Sequence, residues 1–208
     1  TSTLQQTASS IFGFGASRTM QIAQKLFQGI EINGETVGLI TYMRTDSTEI
    51  SKEAIESYRE YLNNNFDSNY LPQDIRTYKS KKAKNAQEAH EGIRPTDINL
   101  KPDDVSKFLD TDSLKLYKLI WKRALASQMS SAIFERTALE ISSEDNSIKL
   151  RANGSIPKFD GFLNIYSEFK VKNEDSEKKN EDEESDDEGS LPNVDLNTKI
   201  NNVNPKNT

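Results

Sequence analysis

Apolar positions recur every three or four residues through much of the first 130 residues, and every second residue beyond Ser131. The first spacing puts side chains on one face of a helix, the second on one face of a strand. Leu4, Ala8 and Ile11 predict a helix through about Phe12, capped by Ser2 or Thr3, and Gly13-Phe14-Gly15 breaks it. Ser17 can cap a second helix to about Phe27, with Met20, Ala23, Gln24 and Phe27 inward. Asn33-Gly34, between Ile30-Glu31-Ile32 and Glu35-Thr36-Val37, predicts a hairpin with a two-residue turn. Helix, glycine turn, helix and hairpin is the order of a winged helix-turn-helix unit, and Tyr42 falls just beyond its returning strand.

A third helix is predicted to start after Ser51 and run to about Asn64 with Ile55, Tyr58 and Leu62 inward, and a short one after Lys101-Pro102-Asp103-Asp104. Leu71 to Lys84 reads as a polar, basic loop whose Lys79, Lys81, Lys82 and Lys84 can either touch a nucleic-acid backbone or stand solvated. Ser113 to Met129 carries the clearest helical stripe, Leu116, Ile120, Trp121 and Leu125. Phe134, Arg136, Ala138 and Glu140 then alternate with Thr137, Leu139 and Ile141. Short strands are expected at Ile148 to Ala152 and Phe162 to Tyr166, divided by Asn153-Gly154 and Asp160-Gly161. The fold class is therefore α+β: a mainly helical, winged-helix-like domain over 1–130, a β segment over 131–172, and an acidic, Asn-rich linker over 173–208.

Charge sharpens the last boundary. Of 33 acidic and 27 basic residues, eleven acidic and four basic lie from Asn173 to Thr208, net −7. The remainder holds 22 acidic and 23 basic residues, net +1, so the acidity belongs to the tail. Glu174 to Glu188 lacks apolar residues that could offset the entropy of ordering and is expected to be disordered. The chain has no cysteine, which excludes thiolate metal sites, disulfides and thiol catalysis. No apolar run approaches the roughly 18 residues of a membrane span, and no signal peptide is visible.

The candidate chemistry lies in Gly38-Leu39-Ile40-Thr41-Tyr42-Met43-Arg44-Thr45-Asp46-Ser47. If this segment is extended, residues 42 and 44 point to the same side, and one phosphate can touch both. A phenol is a weak nucleophile at neutral pH because its reference pKa is about 10. It needs a cation that holds the phosphorus centre and stabilises the charge developing on it. Arginine provides a planar, permanently charged fork for that purpose. The competing reading is a strand tyrosine in the core followed by a turn, with Arg44 in a surface ion pair.

That decapeptide resembles the active-site tyrosine segment of the type IA DNA topoisomerase family, its bacterial members most closely. Three further segments agree in order: Thr1-Ser2-Thr3-Leu4-Gln5-Gln6 upstream, Asn85-Ala86-Gln87-Glu88-Ala89-His90-Glu91-Gly92-Ile93-Arg94-Pro95-Thr96, and Lys115-Leu116-Tyr117-Lys118-Leu119-Ile120-Trp121-Lys122-Arg123. The resemblance runs from Thr1 to about Phe169. It implies that Tyr42 attacks a phosphodiester of single-stranded DNA and forms a 5′-phosphotyrosyl linkage, so that one strand is cut and rejoined without ATP and negative supercoils relax. Arg44 would hold the scissile phosphate. His90, the one histidine, would stand near the tyrosine as a proton donor or hydrogen-bond partner, against a structural pairing with Glu88 or Glu91. Arg94 is either a second phosphate contact or an ion pair within the domain. Asp46 and Ser47 read as a turn and cap.

The resemblance further implies Mg2+, held by a separate Toprim domain, and another domain completing the DNA groove. Neither is expected in this chain, which opens at Thr1 inside a family motif and reads as a piece of a longer cytoplasmic, nucleoid-associated enzyme. Residues 131–172 would be an incomplete part of its hinge domain. Alone, the chain is expected to carry the nucleophile with little or no relaxation activity. Two other classes compete: a non-catalytic winged-helix DNA-binding module, and a different tyrosine nuclease. Relaxases need paired histidines for their metal, which one histidine cannot supply, and the separated arginines and histidines of tyrosine recombinases are not visible.

Overall fold

In the computed structural model, α1 (Ser2–Phe12) ends where Gly13 enters the left-handed region at φ 67° and donates its N–H to Ser9 O. Its N-cap is Thr1 rather than Ser2 or Thr3. The second helix, α2 (Ala16–Gln28), starts from Gly15 rather than Ser17. Its buried face is Thr19, Ala23 and Leu26, one position away from the predicted stripe on two of three turns. Thr19 tolerates burial because its hydroxyl donates to Gly15 O at 3.1 Å. Phe27 is displaced from the core by this rotation and remains 37% exposed.

The hairpin forms as expected. Strands β1 (Ile30–Ile32) and β2 (Glu35–Val37) pair antiparallel with Ile32 opposite Glu35. Asn33 and Gly34 both take positive φ, 53° and 89°, the backbone that a tight two-residue turn requires. The third helix, α3 (Lys52–Asn65), is capped by Ser51, whose Oγ accepts from Ala54 N at 3.3 Å. It buries Ala54, Ile55, Tyr58, Tyr61 and Leu62. After a single turn at Pro102–Val105, α4, comes the longest helix, α5 (Thr111–Ala126). It begins two residues before the predicted start because Asp110 supplies the cap, accepting from Ser113 N at 2.8 Å.

The described residues are 1–78, 91–143, 147 and 149–167, in two units: 1–132 with 160–167, and 133–159. The predicted acidic tail, the basic loop from 79 to 84 and His90 lie outside them. In the larger unit α5 is the central element, contacting α2, α4 and the short α6 (Leu163–Tyr166). Leu116, Tyr117, Leu119, Ile120, Trp121 and Leu125 are buried there, each worth roughly 1.5–3 kcal/mol by area removed from water. Trp121 Nε1 donates to Ile98 O at 2.8 Å and Tyr117 Oη to Leu100 O at 2.6 Å, fastening the 98–100 loop to the helix. Tyr61 meets the Trp121 ring edge-on at 5.6 Å.

Leu163–Tyr166 is helical, not the strand expected from Phe162 to Tyr166. Four residues are too few to show a helical period, and Phe162, Ile165 and Tyr166 pack against the core instead. The smaller unit is one antiparallel hairpin of β3 (Ile133–Ser142) and β4 (Lys149–Phe159). Asn153-Gly154 does not divide it: Gly154 pairs with Thr137 inside a continuous ladder. Ile133, Phe134, Leu150 and Ile156 are exposed, and among the described residues of this unit no second layer covers the hairpin.

Candidate functional site

The segment carrying Tyr42 is fixed to the end of α2. Leu39 N donates to Leu26 O at 2.8 Å, and at Gly38 any Cβ would stand 2.8 Å from the Phe27 carbonyl oxygen. The close approach of two backbones is what the glycine permits. Residues 92–96 run antiparallel alongside it. Ile40 bridges Pro95, Thr41 N donates to Arg94 O at 2.9 Å, and Thr96 N donates to Leu39 O at 3.0 Å. The Thr41 hydroxyl adds a second link, accepting from Arg94 N at 3.0 Å and donating to Gly92 O at 3.0 Å. Leu39, Ile40 and Met43 are fully buried, so the backbone on both sides of Tyr42 is anchored in the core.

Tyr42 itself is half-buried, its ring edge-on to Phe27 with centroids 5.4 Å apart. The exposed Phe27 thus has a use: it supports the tyrosine ring. The chain then bends at Met43 and Arg44, so strand alternation, which rests on an extended backbone, no longer fixes how residues 42 and 44 are related. Arg44 is exposed and, among the described residues, has no hydrogen bond or ion pair. It lines a cleft of about 350 Å³ with Thr1, Ser2, Gln5, Met20, Thr45 and Asp46. A guanidinium with its five donors unengaged is available for an anion.

Thr1 holds the far side of the bend. Its hydroxyl lies 2.8 Å from both the Met43 and Thr45 carbonyl oxygens and accepts from Thr45 N at 2.9 Å. The Ser47 Oγ accepts from Glu49 N at 3.1 Å, although residues 45–50 show neither turn nor bend, and Asp46 is exposed beside the cleft.

Arg94 is engaged within the domain, the second of the two roles its sequence context allows. Its Nε donates to Glu91 Oε2 at 2.6 Å and its NH1 to Pro95 O at 3.0 Å. Glu91 also accepts from Ser51 N at 3.3 Å, and the Arg94 hydrogen bond holds its carboxyl below the usual range. The Tyr58 hydroxyl is buried beside this pair and pushed up to about 12, burial outweighing the Arg94 charge. Thr1 was not legible as a contributor, because its hydrogen bonds span more than 40 positions, whereas Glu91 lies only three residues from Arg94. Among the described residues, no group of three or more His, Asp or Glu is gathered to hold a metal ion, and no helix is long and apolar enough to cross a membrane.

Comparison with known proteins matches this geometry to one family. A family model described as DNA topoisomerase matches residues 1–208. DNA topoisomerase 1 of Rickettsia bellii is 51% identical over 168 residues, covering 81% of this chain and 21% of that protein. The Helicobacter pylori protein of the same name is 48% identical over 165 residues, 79% of this chain and 22% of that one. Full-length topoisomerase I from Thermotoga maritima is similar in structure with a TM-score of 0.70 and 38% identity, over 80% of this chain and 26% of that one. The chain belongs to the DNA topoisomerase family. It spans about a fifth of the length of the curated relatives it matches.

Proposed function

We propose that this chain is the tyrosine-bearing part of a bacterial type IA topoisomerase, and that Tyr42 is its nucleophile. The Tyr42 Oη–phosphorus bond forms as the bond from phosphorus to the 3′ oxygen breaks. The phenol gives up its proton, the 3′ oxygen gains one, and the phosphate stays on the 5′ end as a phosphotyrosyl ester. Exchanging one phosphate ester for another nearly conserves bond energy, so attack by the 3′ hydroxyl rejoins the strand without ATP. Arg44 binds the non-bridging oxygens and stabilises their charge in the transition state. His90 acts as accessory proton donor. The α1–turn–α2–hairpin order serves as a winged-helix-like platform, and residues 131–172 belong to the hinge.

The observation that carries this reading is the exposed Arg44 fork, without a partner among the described residues, two positions after an anchored and half-buried tyrosine. Other arginines among the described residues are engaged within the fold, Arg18 with Asp112, Arg59 with the Pro72 carbonyl and Arg76 with Ser131, whereas Arg44 is not. Since Arg94 is occupied by Glu91, we assign it to holding the Thr41 strand rather than to the phosphate. DNA, presented as a single-stranded stretch of underwound duplex, is the substrate. The Mg2+ of the family belongs to a Toprim part, and no step above runs through it. The protein works in the cytoplasm at the nucleoid, and this chain alone has little or no relaxation activity.

The packing of Tyr42 on Phe27 is also what a non-catalytic winged-helix module would show, and one experiment separates the two. The full-length enzyme is incubated with end-labelled single-stranded oligonucleotide and Mg2+, then denatured. A labelled protein adduct that disappears in Tyr42→Phe and falls about 100-fold or more in Arg44→Ala supports the proposal. An adduct that persists in Tyr42→Phe refutes it.

A further inference from the structure

Thr1 stands at the N-cap of α1, a position where a threonine hydroxyl ordinarily accepts a backbone N–H of its own first turn. Here it makes no such bond. Its single proton is shared between the carbonyl oxygens of Met43 and Thr45, each 2.8 Å away, and its lone pair accepts from Thr45 N at 2.9 Å. These groups flank Arg44 on both sides, at the bend where the chain leaves the anchored Tyr42 segment. Arg44 has no side-chain partner among the described residues to fix its direction, so its aim depends on its backbone. Thr1 and Arg44 also line the same cleft.

We propose that the Thr1 hydroxyl is a positioning residue for strand cleavage, holding the 43–45 backbone so that the Arg44 fork meets the scissile phosphate. The inference rests on the role given to Arg44 above. Thr1→Val removes the hydroxyl and puts a methyl group of similar size in its place. Misplacing a phosphate-holding group by about 1 Å is enough to slow a reaction roughly 100-fold.

The test uses the full-length enzyme and single-turnover formation of the covalent adduct on a labelled single-stranded oligonucleotide, with oligonucleotide affinity and melting temperature measured for each variant. Thr1→Val should slow adduct formation about tenfold to 100-fold while affinity changes less than about twofold, and Thr1→Ser should restore the rate. In an Arg44→Ala background, Thr1→Val should have no further effect, because the hydroxyl acts through that arginine. A Thr1→Val enzyme within twofold of wild type, while Arg44→Ala is slow, overturns the inference and leaves the role of Arg44 intact. The same loss with and without Arg44, or a Thr1→Val protein that no longer folds, overturns it too, since the hydroxyl then serves the fold. If Arg44→Ala itself is not slow, the underlying reading fails and this one with it.

Discussion

Replacing Gly38 with alanine adds one methyl group where a backbone carbonyl leaves no room for it. The new Cβ would stand 2.8 Å from the Phe27 carbonyl oxygen, and the neighbour is backbone, not the end of a flexible side chain. Ordinary contact there begins at 3.4 Å, so the two segments must part by roughly half an ångström. The adjacent Leu39 N to Leu26 O bond, 2.8 Å long, lies on the same seam and would stretch with it. Overpacking of this kind costs about 1–3 kcal/mol and a weakened backbone hydrogen bond about 1 more, giving a total of roughly 2–4 kcal/mol. Trp121, the only tryptophan of the chain and a buried one, reports the loss by fluorescence in equilibrium urea denaturation. Gly15→Ala is the control: its Cβ meets nothing within 4 Å and φ is −64°, so no steric cost arises and only the N-cap preference for glycine over alanine, about 0.5–1 kcal/mol, is expected. Equal, small effects at both glycines would refute the argument that the Tyr42 segment is held by close contact with the end of α2.

Three further perturbations probe other joints. Trp121→Phe removes the donor to Ile98 O and should lower stability by about 1–3 kcal/mol, read as a shifted urea midpoint by circular dichroism. Thr41→Val leaves Arg94 N and Gly92 O without their partner; amide exchange at Arg94 should quicken, while Tyr58 on the far side of the pair keeps its protection. Asp110→Ala should cost about 1–2 kcal/mol through the lost α5 cap, and Asp110→Asn much less. Lys25 first, then the Ser113 backbone, hold the Asp110 carboxyl below its usual range. Its contribution is therefore present above the unfolded value of about 4 and lost as pH falls further, and an acid titration of stability should flatten there in Asp110→Asn.

How legible each part was follows from the range of the force that decides it. The Asn33-Gly34 turn and the α3 cap at Ser51 are settled within four residues, and both formed where the residues pointed. The same dipeptide at Asn153-Gly154 became strand, because a partner strand continuous on both sides outweighs a local turn preference. The stripe of α2 turned by one position once Thr19 could satisfy its own hydroxyl, which freed Phe27 to stand under Tyr42. At the site, Tyr42 and Arg44 were visible as chemistry-bearing side chains, but the bend between them was not. It is held by Thr1, 42 and 44 residues away in sequence. Arg94 allowed two roles, and in the structure it makes an ion pair with Glu91, three residues away.

The central claim concerns one hydroxyl among seven tyrosines. The covalent protein–oligonucleotide adduct of the full-length enzyme, trimmed by nuclease, digested with protease and sequenced by mass spectrometry, identifies that hydroxyl directly. A nucleotide phosphate on the peptide containing Thr41-Tyr42-Met43 is the predicted result. The same mass on a peptide carrying any other tyrosine would contradict it.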